Sequence, residues 1–250
     1  MSSGLTYAGL TYEVRDGVGW LEFDDGGVNA LNTTVFEGYF SALDDAEADD
    51  SVGAVVLTGR DGFFSAGMDL KWMEQIDRDE LGTIGPNLAR LAHRLVIFPK
   101  PVIAAVEGHA IAGGAIILLA CDRSVGATGS YKVGLNEVAL GIPFGGFALN
   151  LARLHLMPSA FGSALLHGET HGPERAHALG YLDELVAPGE VRSRVAEIAS
   201  RAAKLSSFAY TITKQGMRHE IAAQIEAQVN SGELVPLFQV FADGREAGAI

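Results

Sequence analysis

The stretch PVIAAVEGHAIAGGAIILLACD, residues 101–122, contains the strongest fold signal in the chain. Its first part, PVIAAVEG, is a short apolar run and predicts a buried strand. Its second part predicts an apolar helix whose start is rich in glycine, at Gly113 and Gly114. Small residues at a helix start let a ligand approach unpaired backbone N–H groups, so this segment is also a candidate binding element.

The rest of the chain continues the alternation of strands and helices. TYEVRD and VGWLEF alternate around Gly17 and predict a hairpin, TTVFEGYFSALDDAEAD predicts a helix, and GAVVLTG predicts a second buried strand. The tight loop DGFFSAG leads into a helix from about Asp69, and another helix is predicted over residues 81–98. From Phe144 onward almost everything has helical periodicity. This order predicts an α/β core with a helical C-terminal portion.

Composition limits the classes of function. The 250 residues, 48% of them hydrophobic and 20% charged, can bury one sizeable core. A formal net charge of −13 argues against nucleic acid and against an anionic membrane surface as partners. The only cysteine, Cys121, excludes an intramolecular disulfide, and the N-terminus lacks the pattern of a signal peptide. Because the longest apolar run, residues 110–121, is too short to span a bilayer, we expect a cytoplasmic protein.

Several short motifs have simpler explanations than a functional site. HGETH, residues 167–171, has two histidines four apart, but Gly168 replaces the Glu that a zinc-protease helix requires. We therefore expect a turn there and no metal site. Cys121 lies in an apolar run and is expected to be a core residue, and His109, beside the glycine pair, is expected to be structural.

The segment YKVGLNEVALGIP, residues 131–143, places one carboxylate, Glu137, among apolar residues. Such an acid is costly to bury as an anion unless another group pairs with it or a reaction uses it. Glu137 is therefore the leading candidate for an acid/base residue.

Three segments together resemble the crotonase superfamily of enoyl-CoA hydratases and isomerases in order and spacing. They are FSAGMDLK, then PVIAAVEGHAIAGG with CD, then GLNEVALGIP. The resemblance implies a crotonase-like spiral of ββα units, assigned to residues 1–190. It also implies a helical C-terminal region, residues 191–250, that forms a homotrimer or a dimer of trimers. The apolar faces of segments 191–227 and 234–241 would be poorly covered alone, which agrees with burial against a neighbouring subunit.

The resemblance further implies an acyl-CoA thioester as substrate and no separate cofactor, because coenzyme A is carried by the substrate. By motif position, the backbone N–H groups of Met68 and Gly113 would form the oxyanion hole, where preorganised donors stabilise enolate charge. Glu137 matches one of the two glutamates of the hydratases, but the position of the other is Ile116. An isoleucine can neither hold nor deprotonate the water that hydration requires.

A single glutamate is enough to take a proton from C2 and return it at C4. The resemblance therefore favours a Δ3,Δ2-enoyl-CoA isomerase, which moves a double bond from the 3,4 to the 2,3 position. Two alternatives stay open. One is a hydratase in which an acid from elsewhere replaces the missing glutamate, and the other is a homologue that binds acyl-CoA without catalysis.

The remaining assignments concern substrate contacts. The resemblance implies that the loops at residues 63–70 and 29–31 bracket the adenine and pantetheine of CoA. Lys71 and Lys214 would approach a CoA phosphate, Lys214 from a neighbouring subunit. Apolar neighbours, expected to be Ile116, Val138 and Phe144, would raise the pKa of Glu137. The full set of predicted substrate-binding residues is Ala66, Gly67, Asp69, Lys71, Gly114, Ile116 and Phe144.

Overall fold

The computed structural model describes residues 5–7 and 9–246. The last four residues of the predicted region 191–250 and five residues of the predicted region 1–190 therefore lie outside the described residues. The strands are β1 Leu5–Tyr7, β2 Leu10–Arg15, β3 Val18–Phe23, β4 Ala30–Leu31, β5 Ala54–Thr58, β6 Gly62–Ser65, β7 Gly67–Met68, β8 Val102–Val106, β9 Gly108–Ile111, β10 Arg123–Ala127, β11 Val133–Gly134 and β12 Glu184–Val186. The helices are α1 Thr33–Ala48, α2 Leu70–Met73, α3 Arg78–Leu81, α4 Ile84–Ile97, α5 Gly113–Ala120, α6 Gly146–His155, α7 Pro173–Leu179, α8 Val191–Ala202, α9 Ser207–Ser231 and α10 Val235–Glu246.

The main sheet has the strand order β1-β2-β3-β5-β8-β10-β12. The first three strands are antiparallel, as the predicted hairpin requires, and the strands from β3 to β12 run parallel. Both β5 and β8 are buried at every residue, which explains why their sequences are continuous apolar runs rather than alternating ones. The buried strands predicted from GAVVLTG and PVIAAVEG are confirmed.

A smaller sheet of order β11-β9-β6 lies beside the main one. The chain passes from β5 to β6, from β8 to β9 and from β10 to β11, so successive units give one strand to each sheet. This repetition is the ββα spiral that the resemblance to the crotonase superfamily implies. The small strands approach so closely that a Cβ at Gly108 would lie 1.9 Å from the carbonyl carbon of Gly62.

The loop predicted at DGFFSAG is instead largely extended. Its residues form β6, which pairs with β9, and β7, which pairs with β4. Glycines and short length hide this pairing from a local pattern, because the partners are distant in sequence. The predicted turn at HGETH is confirmed as irregular chain, with an isolated bridge between His171 and Val133. The largely helical region after residue 144 also contains strand β12.

The C-terminal helices differ in how their own chain covers them. Helix α8 packs against β5, β8 and β10, α9 packs against α4 and α6, and α10 packs against α3 and α4. On α9, Phe208, Ile212 and Met217 remain exposed, as the prediction of an uncovered apolar face requires. The same prediction is wrong for α8, because its apolar residues Val191, Val195 and Ile198 are buried against this chain's own sheet. It is also wrong for α10, because Phe238 is buried against residues of this chain. Over the described residues, no helix has the length and hydropathy needed to cross a membrane.

Candidate active site

A single apolar cavity brings together the predicted oxyanion loops and Glu137. It has a cavity volume of about 80 Å³ and opens to solvent. Among the described residues that line it, Glu137 is the only ionisable one. The lining residues are Ala66, Met68, Leu70, Gly85, Leu88, Ala112, Gly113, Ile116, Asn136, Glu137, Leu140, Ile142, Pro143, Phe144, Gly145, Phe147, Ala148, Leu237 and Phe238.

The first predicted donor, Met68, lies on strand β7. The next residue, Asp69, donates its N–H to the Leu31 carbonyl oxygen across the β4–β7 pair, at 2.9 Å. Because successive amides of a strand point to opposite sides, the Met68 N–H points away from β4. Met68 itself lines the cavity. Its amide is therefore not used in the pairing with β4.

The second predicted donor, Gly113, is the first residue of helix α5, where backbone N–H groups have no partner within the helix. The preceding residue, Ala112, has φ 50° and ψ −122°, a conformation that L-residues rarely adopt. Its own N–H donates to the Gly134 carbonyl oxygen at 3.0 Å, which holds the turn. The peptide between Ala112 and Gly113 is thereby fixed, and with it the direction of the Gly113 N–H.

The two donor loops are interlocked. A Cβ at Gly67 would lie 3.2 Å from the Gly113 backbone nitrogen, and Gly67 has φ +88°. A Cβ at Gly114 would lie 2.3 Å from the Ser65 carbonyl oxygen. Gly67 and Gly114 do not line the cavity, so their predicted part in the site is to permit this close approach rather than to contact substrate.

Asn29, which sequence reasoning treated only as part of a loop, organises this region. Its buried side chain donates to the Phe23 and Phe63 carbonyl oxygens, at 2.6 and 3.1 Å. The Ser65 hydroxyl donates to the Asn29 carbonyl oxygen, at 2.7 Å. These bonds join the loop at residues 29–31 to the strand that leads to Met68.

Glu137 lies directly before a short 3₁₀ turn at Val138–Leu140 and is 6% exposed. Neither carboxylate oxygen has a hydrogen-bond partner. Burial without a partner favours the neutral acid and raises the pKa of Glu137 to about 8. The group is thus close to the pKa that suits proton transfer near neutral pH.

The neighbours of Glu137 are partly those predicted. Ile116 and Phe144 line the same cavity, but Val138 is 43% exposed and does not line it. The prediction for Val138 is wrong because the turn that follows Glu137 directs that side chain outward. Sequence reasoning missed Asn136, which lines the cavity and has a buried Oδ1 atom without a partner. Its place directly before Glu137 was the one available signal.

The predicted CoA-binding residues receive different roles. Ala66 lines the cavity, and because its N–H donates to the Val28 carbonyl oxygen, only its own carbonyl stays available. Asp69 caps helix α2 by accepting from the Trp72 N–H at 3.0 Å and does not line the cavity. Lys71 is exposed on the same helix, outside the cavity.

The prediction that Lys214 approaches a phosphate is contradicted by its burial. Lys214 is 5% exposed, and its Nζ lies 2.8 Å from Asp122 Oδ2. Arg218 contacts the other carboxylate oxygen at 2.9 Å. A lysine in the middle of a helix can face either water or the core, and here the side chain turns inward because it pairs with the partly buried Asp122, which follows α5. The pair anchors α9 to the core instead of binding substrate.

The other sequence candidates lie apart from the cavity. His109 stacks on Phe63, and its Nδ1 accepts from the Lys132 N–H, which confirms a structural place. Cys121 is buried and free. Within the described part of the chain, no group of three or more His, Cys, Asp or Glu residues is arranged to hold a metal ion.

Comparison with known proteins agrees with this geometry. The family model described as "Enoyl-CoA hydratase/isomerase" matches residues 13–243. A putative enoyl-CoA hydratase of Thermus thermophilus is 36% identical over 192 residues, which cover 75% of this chain and 74% of that protein. A probable enoyl-CoA hydratase structure from Mycobacterium tuberculosis has a TM-score of 0.86 at 34% identity, covering 93% of this chain and 99% of that one.

A second structure of the same M. tuberculosis protein, described as an enoyl-CoA isomerase, has a TM-score of 0.84 at 35% identity. It covers 90% of this chain and 98% of that chain. One and the same relative therefore carries both activity names.

Proposed function

This chain belongs to the enoyl-CoA hydratase/isomerase family, and on that premise we propose that it is an enoyl-CoA isomerase. It moves a double bond from the 3,4 to the 2,3 position of an acyl-CoA thioester. The observation that carries the proposal is the isolation of Glu137. Over the described residues, no second carboxylate lines the cavity, and Ile116 lies where a hydratase has its other glutamate.

In the proposed reaction, the Glu137 carboxylate takes a proton from C2 of the 3-enoyl thioester. The C–H electrons move onto the carbonyl oxygen and give a dienolate, which the N–H groups of Met68 and Gly113 stabilise. The protonated Glu137 then delivers the proton to C4. The electrons return, the carbonyl re-forms, and the double bond is left between C2 and C3. No atom is gained or lost.

Hydration of a 2-enoyl thioester is the second candidate, because most named relatives are called hydratases. It would require Glu137 to deprotonate a water that another polar group holds. Among the described lining residues, Asn136 Oδ1 is the one unpaired side-chain atom with that capacity besides the Glu137 carboxylate. An amide can hold a water, but it is neither an acid nor a base, so Glu137 alone would have to take the proton from the water and deliver one to C2.

The first prediction separates these candidates by substrate. Purified protein is offered a 3-enoyl-CoA and, separately, the 2-enoyl-CoA of the same length, and products are separated by chromatography. We expect conversion of the first to the 2-enoyl thioester with negligible 3-hydroxyacyl product from the second. Substantial hydration of the 2-enoyl thioester would overturn the isomerase assignment, and tight binding without turnover of either would favour a non-catalytic binder.

The second prediction concerns pH. Because the reaction begins with the Glu137 carboxylate and burial raises its pKa to about 8, kcat/KM should rise with pH and level off above about 8. Below pH 7 the slope should approach tenfold per pH unit. This profile is measured from initial rates between pH 6 and 9.5. Binding of an acyl-CoA with a saturated chain, measured over the same range, is the control for substrate affinity. A flat profile across that range would contradict Glu137 as the base.

The proposal extends to the substrate's other parts and to assembly. Coenzyme A enters as part of the substrate, so the reaction needs no separate cofactor, and the exposed Lys71 is the remaining lysine candidate for a phosphate contact. The exposed apolar residues of α9, Phe208, Ile212 and Met217, would be covered in a homotrimer or a dimer of trimers. A cytoplasmic location agrees with a single, free, buried cysteine.

A further inference from the structure

Helix α10 supplies part of the cavity wall. Leu237 and Phe238, here called the α10 wall, line the cavity together with Gly85 and Leu88 of α4 and Phe147 near the start of α6. Phe238 is 7% exposed. A helix close to the end of the chain therefore bounds the space in which Glu137 lies.

The α10 wall is held close to the rest of the chain by glycines. A Cβ at Gly85 would lie 2.7 Å from the Leu234 carbonyl oxygen, and one at Gly82 would lie 3.0 Å from Val235 Cγ1. A Cβ at Gly145 would lie 2.8 Å from Leu234 Cδ2. A larger residue at Gly85 would meet the Leu234 backbone and push the start of α10 outward, whereas one at Gly82 or Gly145 would first displace a Val235 or Leu234 side chain.

Polar contacts fix the other end of α10. Arg78 of α3 binds the Asp243 carboxylate through both oxygens, at 2.7 and 3.0 Å. Gln239 donates from Nε2 to the Arg78 carbonyl oxygen at 3.0 Å. These contacts are exposed and contribute modest energy, but they define the orientation in which α10 lies across the cavity.

On the side away from the cavity, Phe238 of the α10 wall packs in a small hydrophobic cluster that is separate from the main core. Its buried partners are Met73, Leu81, Ile84 and Ile142. The ring therefore cannot swing away from the cavity without separating buried apolar surfaces. A substrate chain that reaches Phe238 meets a fixed obstacle rather than a mobile side chain.

The chemistry of the lining selects the kind of acyl chain. None of the described lining residues is Lys, Arg or His, and the only polar side chains are those of Asn136 and Glu137. A carboxylate at the tail of the acyl group would be buried in this lining without a cation to pair with, which is strongly unfavourable. A hydrocarbon tail gains about fourfold in affinity for each methylene buried.

We propose that Phe238, positioned by α10, limits the length of the acyl chain and that the cavity accepts hydrocarbon tails but not tails with a terminal carboxylate. The proposal deepens the proposed function, since it rests on acyl thioesters occupying this cavity. It assigns the substrate class to saturated or unsaturated aliphatic acyl groups that end at the α10 wall. The longest acyl chain that binds is then set by the Phe238 side chain and by the glycines that let α10 lie close to the cavity.

The experiment measures binding of saturated acyl-CoAs from four to fourteen carbons by calorimetry, in the wild type and in Phe238→Ala. We expect wild-type affinity to rise with length and then stop rising or fall, and the variant to move this limit two to four carbons longer. Phe238→Leu, which keeps an apolar side chain in the cluster, should give a smaller shift. Leu166→Ala, a change of an exposed apolar residue outside the cavity, is the control and should leave the limit in place.

A second arm compares hexanoyl-CoA with adipyl-CoA, which differs by a terminal carboxylate. Wild-type protein should bind adipyl-CoA at least tenfold more weakly, and equal affinity would overturn the assignment of the tail. An unchanged length limit in both Phe238 variants would overturn the role of Phe238, as would a uniform loss of affinity at every length. Saturated esters undergo no isomerisation, so failure of the proposed reaction would leave this binding profile intact.

Discussion

Replacing Glu137 with Gln is expected to lower kcat for conversion of a 3-enoyl-CoA to its 2-enoyl isomer by about 10²- to 10⁴-fold, the usual contribution of a positioned acid/base group. Gln has the shape of Glu but can neither accept the C2 proton nor return it at C4. Glu137 is the only ionisable residue among the described residues of the cavity lining, so no neighbour can take over the transfer. The loss should therefore appear in kcat rather than in binding of a saturated acyl-CoA.

The same substitution is expected to stabilise the protein at alkaline pH. Burial raises the pKa of Glu137 to about 8, whereas its ordinary value is 4.5, so the folded state holds an extra proton between these pH values. Stability then falls as pH rises from about 4.5 to 8, because the folded protein must bury a charge that the unfolded chain exposes to water. A shift of this size corresponds to at most about 5 kcal/mol, and Gln avoids that cost.

Chemical denaturation of both proteins at pH 5 and pH 9 measures this effect. The variant should be more stable than the wild type at pH 9, with a much smaller difference at pH 5. Glu37→Gln, which changes an exposed glutamate on α1, should alter neither activity nor the pH dependence of stability. A variant that retains more than a tenth of the wild-type kcat would refute the assigned role of Glu137.

Replacing Gly114 with Ala should disrupt the oxyanion hole through packing alone. The added Cβ would lie 2.3 Å from the Ser65 carbonyl oxygen and 2.8 Å from Ser65 Cβ, so backbone must move. The start of α5 and the β6–β7 segment would separate, and these segments hold the Gly113 and Met68 N–H groups. Overpacking of this kind costs about 1–3 kcal/mol of unfolding free energy. Displacing one donor costs about 10²- to 10³-fold in kcat.

The matched control for this substitution is Gly216→Ala in helix α9. No atom lies within 4 Å of a Cβ at Gly216, and alanine favours a helix interior, so this change should be neutral or slightly stabilising. Thermal unfolding and isomerisation kinetics of both variants provide the comparison. Wild-type kcat and stability in Gly114→Ala would mean that the two loops are not held by this contact.

The parts of the fold with strong local patterns could be predicted from the sequence. The hairpin β2–β3, helix α1 and the buried strands β5 and β8 each bury a face or a whole segment whose residues are contiguous. Strands β6 and β7 were predicted as a loop because their stability comes from pairing with β9 and β4. A short glycine-containing segment has no periodicity that reveals such partners.

The candidate site divides in the same way. The order of the motifs predicts that Glu137, Met68 and Gly113 belong to one site, and all three line one cavity. The absence of a second glutamate can also be read from the sequence, because its position is Ile116. Side-chain direction was not visible. Val138 turns outward after Glu137, and Lys214 turns inward to Asp122, although neither sequence neighbourhood indicates the direction.

The sequence by itself indicated an α/β core and the one carboxylate that is the leading acid/base candidate, and its resemblance to the crotonase superfamily implied the spiral, because its motifs keep their residue types at fixed spacing along the chain. Tertiary structure alone decided what surrounds that carboxylate. It buried Glu137 without a hydrogen-bond partner, fixed the strained Ala112 beside the donor loop, and brought Phe238 from α10 into the cavity wall. These features arise from contacts between segments far apart in the chain, and hydrophobic periodicity records that a residue is buried but not which residue lies against it.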